Sequence, residues 1–150
     1  MAFVGRLLVI VFAVILASVA AGIVIAFGLL GSEWRVFSGD VSERAGFCIV
    51  TFAGASFAGA VGLLPLAILI AVSEALKIRS FLLHGLAGAA MLVLGLYSSG
   101  LAQPSYEESI DHAPPMIARE TEIAAAAGVV FGLVYWLLAG RKAGRWRERS

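Results

Sequence analysis

The chain has 150 residues, 61% of them hydrophobic and 14% charged, with a net charge of +1 and a mean hydropathy of +0.96. Soluble domains hold roughly 45–50% apolar and about 25% charged residues, so this composition excludes an ordinary water-soluble fold. The single cysteine, Cys48, excludes an intrachain disulfide and any redox chemistry built on a cysteine pair within the chain. The charges fall in clusters between long uncharged runs, which points to one membrane domain over residues 1–150. The expected fold is all-α: four transmembrane helices in an antiparallel bundle, with spans at about 7–30, 45–73, 80–101 and 123–140.

Residues 7–30 form an uncharged run between Arg6 and Glu33. The small residues Ser18, Val19 and Ala20 resemble a signal-peptidase site, but the apolar run continues ten residues beyond them. An uncleaved span is therefore expected. Ala13, Ala17 and Ala21 recur at four-residue spacing, which suits close helix packing. Residues 32–44, SEWRVFSGDVSER, read as a solvated loop, with Trp34 as an interfacial anchor.

Residues 45–73, AGFCIVTFAGASFAGAVGLLPLAILIAVS, hold no charge over 29 positions. A helix of that length spans about 43 Å, against roughly 30 Å of hydrocarbon. It must tilt, kink, or leave its ends in the headgroups. Gly54, Ala58 and Gly62 share one face, where another backbone can approach closely. This stretch is expected to be the packing hub, with Pro65 kinking it or freeing the carbonyl of Val61. Thr51 and Ser56 are its only hydroxyls before Ser73, and each can bond back to its own helix.

The connection Glu74-Ala-Leu-Lys-Ile-Arg79 is short, so the second and third spans should be antiparallel neighbours. His84 lies one turn inside the third span, near the headgroups. Tyr97 falls near the opposite interface. Residues 103–122, QPSYEESIDHAPPMIARETE, form the longest polar segment, and Arg119 with Glu122 reads as a local pair. The fourth span contains Gly128-Val-Val-Phe-Gly132, a GxxxG in an apolar helix, which permits close pairing within or between chains. Residues 141–150 form a basic tail.

Orientation follows from charge. Arg6, Lys77, Arg79, Arg141, Lys142, Arg145, Arg147 and Arg149 fall on the side of the termini, and Arg35, Arg44 and Arg119 on the other. The positive-inside rule then places both termini in the cytoplasm. The tail is expected to touch anionic lipid headgroups; no nucleic-acid partner is expected.

Few residues suggest chemistry. If residues around 107–112 are helical, Glu107 with Asp111 and Glu108 with His112 lie on shared faces, and Glu108, Asp111 and His112 could hold a divalent cation. A solvated acidic loop is the simpler reading. His84 and His112 are separated by about a bilayer thickness, so they cannot share one haem within a chain. No cofactor and no catalytic residue are expected.

Two segments, residues 73–86 (SEALKIRSFLLHGL) and 135–144 (YWLLAGRKAG), resemble parts of small, uncharacterised four-span inner-membrane proteins of alphaproteobacteria. The resemblance covers about 24 residues of the 150. It implies a bacterial inner membrane and carries no activity. The functional expectation is a non-catalytic integral membrane protein, either an accessory or assembly subunit or a homo-oligomer packed through its Gly/Ala helix faces. The alternatives are an oligomeric channel or a small-solute or cation transporter with an acidic outer loop, and a metal-handling membrane protein using the Glu107–His112 cluster.

Overall fold

The computed structural model describes residues 2–31, 40–76, 80–101 and 119–142. Four helices account for nearly all of them: α1 (Ala2–Leu30), α2 (Val41–Leu76), α3 (Phe81–Ser98) and α4 (Arg119–Leu138), followed by a 3-10 turn at Gly140–Lys142. Each contains a stretch long and apolar enough to cross a membrane. Together they form the all-α, antiparallel four-helix bundle of a polytopic membrane protein.

Local chemistry sets the helix ends. Gly31 adopts φ +86° and Gly100 φ +70°, left-handed conformations that glycine reaches without a Cβ penalty and that close α1 and α3. Asp40 opens α2 by accepting the Val41 N–H at 2.7 Å. Ser80 caps α3, its hydroxyl accepting from the Leu83 N–H. Glu120 and Glu122 sit in the first turn of α4, where the helix dipole favours negative charge.

The bounds differ from the expected spans: α1, α2 and α4 begin four or five residues earlier, and α3 is shorter at both ends. α1 begins five residues before the uncharged run, because Arg6 is accommodated by donating to the carbonyl of Ala139 at 2.9 Å. α4 begins at Arg119 rather than Ile123, because Arg119 reaches the carbonyl of Gly28 at 2.9 Å instead of pairing with Glu122. These two bonds tie α1 to α4 at both ends of the bundle. α2 runs unbroken through Pro65 for 36 residues, about 54 Å.

The packing order corrects two expectations. α1 packs along both α2 and α4, and α3 packs along α4, whereas α2 and α3 touch only sparsely despite their short connection. The second span is therefore not the hub. Only 17% of its spanning window is buried, against 28% for α1 and 33% for both α3 and α4. The core is small and alanine-rich: Ala13, Ala17 and Ala21 of α1 are fully buried, together with Leu92 of α3 and Phe131 and Tyr135 of α4. Large apolar side chains such as Phe12, Ile49, Phe52 and Leu86 point outward. That distribution is inverted for water and correct for lipid, where association depends on close van der Waals fit rather than on hydrophobic burial.

Candidate functional site

Glycines set the distances between helices. On the α3–α4 seam, a Cβ at Gly88 would run into the carbonyl oxygen of Gly128, and one at Gly128 into that of Gly88. A Cβ at Gly132 would strike the carbonyl of His84. On the α1–α2 seam, Gly22 lies against the Thr51 carbonyl and Ala55, and Gly54 against Ile25. Gly62 faces the tip of Met91, and Ala58 is fully buried. Thus Gly54, Ala58, Gly62, Gly128 and Gly132 all lie inside one chain, in contacts between its own helices.

His84 is completely buried on the α3–α4 seam. Its Nδ1 lies 2.8 Å from the backbone oxygen of Ser80. A carbonyl only accepts, so Nδ1 carries the proton of that bond. The ring stacks on Tyr135, with centroids 5.9 Å apart and 24° between planes. Nε2 is buried without a hydrogen-bond partner, and a Cβ on Gly140 would come within 3.2 Å of it. Phe81, Trp136 and Arg141 form an aromatic and cationic rim beside this ring, with the Arg141 guanidinium carbon 5.6 Å from the Trp136 ring centroid. The place of His84 one turn inside α3 was legible from the sequence. Its complete burial was not, because it depends on Gly132 and Gly140 sitting across the seam.

The other candidate is a groove of about 510 Å³ in the half of the bundle that holds the N-terminus of α4. It opens where α2 and α3 part. Leu29 of α1, Ala53 and Phe57 of α2, Leu96 of α3 and Ile123 of α4 line it, and Glu120 stands at its edge. Beside that edge, Arg119 lies on the Gly28 carbonyl, and the Tyr97 and Thr121 hydroxyls share a hydrogen bond of 3.2 Å. Sequence patterning does not find this groove, because it arises from helices that fail to meet. The single available signal was Glu120, an acid within a turn of an apolar run.

The remaining sequence candidates do not converge. Ser56 is exposed on the outer face of α2. The Thr51 hydroxyl is buried and has no partner, rather than bonding back to its own helix. Neither shares a surface with His84. Glu107, Glu108, Asp111 and His112, the residues proposed to hold a metal, lie outside the described residues, as does the basic tail beyond Lys142. Comparison with protein-family models, with curated proteins and with solved structures finds no match to this chain.

Proposed function

We propose that this chain is a non-catalytic accessory or assembly subunit of a bacterial inner-membrane complex, with both termini in the cytoplasm. The observation that carries this reading is the length and exposure of α2. Its uncharged stretch, residues 45–73, is continuous helix through Pro65. At an average tilt of about 20°, a core of about 30 Å takes about 21 residues. Roughly eight uncharged residues then extend into the headgroups or beyond them. Ile68 and Val72, toward the C-terminal end of that stretch, stand exposed, where a partner protein would cover them. The internal use of the Gly/Ala faces leaves this outer surface of α2 as the contact region. The preponderance of Lys and Arg on the side of the termini supports the orientation.

A channel formed by one chain gains no support from the described residues, since Thr51, Ser56 and His84 line no common path. The test is gentle detergent extraction at native expression, with particle mass and co-purifying proteins determined together. A stoichiometric partner retained by the native chain and lost on Ile68→Glu is the expected result. A monomer with no partner contradicts the reading. A homo-oligomer alone moves the weight to a pathway between protomers, to be followed by flux assays in liposomes.

A further inference from the structure

The geometry points to the α2–α3 groove as a binding site for one membrane lipid with a primary-amine headgroup, its acyl chain lying in the groove and its amine on Glu120. The helices touch where Gly95 meets Val61 and Gly62 meets Met91. From there α2 diverges toward Ala53 and α3 toward Leu96, leaving a trough whose walls are apolar and whose one charged lining residue, among those described, is Glu120.

Size selects the occupant. A helix with its side chains is a cylinder about 10–12 Å across, so 510 Å³ holds about one turn of a partner helix. Carbon–carbon contacts of about 4 Å make a polymethylene chain far thinner. The same volume takes roughly 40 Å of a chain about 4 Å across, more than the ~15 Å depth of one leaflet's hydrocarbon. A volume of this size, mostly apolar with a few polar groups at one end, also lies within the range of small-molecule sites.

The end of the groove selects the headgroup. Glu120 lies in the first turn of α4, level with Leu29 and Leu101 at the ends of α1 and α3. A carboxylate there attracts an ammonium and repels an anionic headgroup. Arg119 uses one N–H on the Gly28 carbonyl; a guanidinium has five, so it can also meet the lipid phosphate. The chain gains no hydrophobic energy on leaving bulk lipid, so selectivity comes from fit and from this charge pair. This inference does not depend on the accessory-subunit reading.

The test uses the full-length protein in nanodiscs containing equal amounts of phosphatidylethanolamine and phosphatidylglycerol, with retained lipid read by native mass spectrometry after detergent transfer. Phosphatidylethanolamine is expected to be retained preferentially by the native chain. Glu120→Gln, at an exposed position, should reduce that preference about two- to fivefold, the size of a partly exposed ion pair. Ala53→Trp, which fills the groove from an exposed position, should abolish retention. Equal retention of the two lipids, retention of neither, or unchanged retention by Ala53→Trp overturns the proposal. A photoreactive residue at position 53 in native membranes supplies the complementary reading: a lipid-mass adduct supports it, and a protein adduct overturns it.

Discussion

The seam between α3 and α4 and the seam between α2 and α3 both use glycine, and they close to different degrees. Gly88 and Gly128 meet backbone to backbone, and Gly132 meets the His84 carbonyl. Neither contact has a side chain that can rotate away. Gly95 and Gly62, by contrast, meet the side chains of Val61 and Met91, where α2 and α3 touch. Beyond that contact the helices separate and the groove opens. A small residue thus permits close approach without enforcing it. What stands opposite decides whether a seam seals or leaves space.

Three substitutions grade this contrast, each read as the midpoint of unfolding in mild detergent. Gly128→Val should be the most disruptive. Its branched side chain would collide with the Gly88 carbonyl and the Ala89 backbone, and separating α3 from α4 should cost more than about 3 kcal/mol, with loss of folded protein at expression. Gly95→Ala should fall between, at about 1–2 kcal/mol, because Val61 can move only by changing a stiff χ1. Gly62→Ala should change stability by less than about 1 kcal/mol, since its nearest neighbour is the Met91 methyl at 3.0 Å, the end of a flexible side chain. Equal effects of the first and last would remove the distinction between the two seams.

The four spans and the all-α class were readable from the sequence because charge is so costly in hydrocarbon that apolar runs mark the helices directly. The small-residue faces were readable for the same local reason, as spacing along a helix. Their partners were not. Gly54 gives no sign that it faces Ile25, nor Gly128 that it faces Gly88, because seam pairing depends on the three-dimensional order of helices. The short 74–79 connection argued for a tight α2–α3 contact. The structure instead builds its strongest contacts on α1 and α4, where Arg6 and Arg119 reach backbone carbonyls of a helix more than ninety residues away in sequence. The buried state of His84 and the apolar groove followed from that arrangement, and Glu120 was the one local sign of the groove.

The glycine seams join helices of one chain. Cysteines placed at Gly85→Cys and Leu133→Cys in a Cys48→Ala background test it most directly, because a Cβ at position 85 lies 3.7 Å from the Leu133 side chain. Oxidation in native membranes, or bridging with a short bis-thiol reagent, should give a cross-linked species of monomer mass with altered mobility. Efficient cross-linking to dimer mass, with no intrachain product, would show instead that these helices pair between chains.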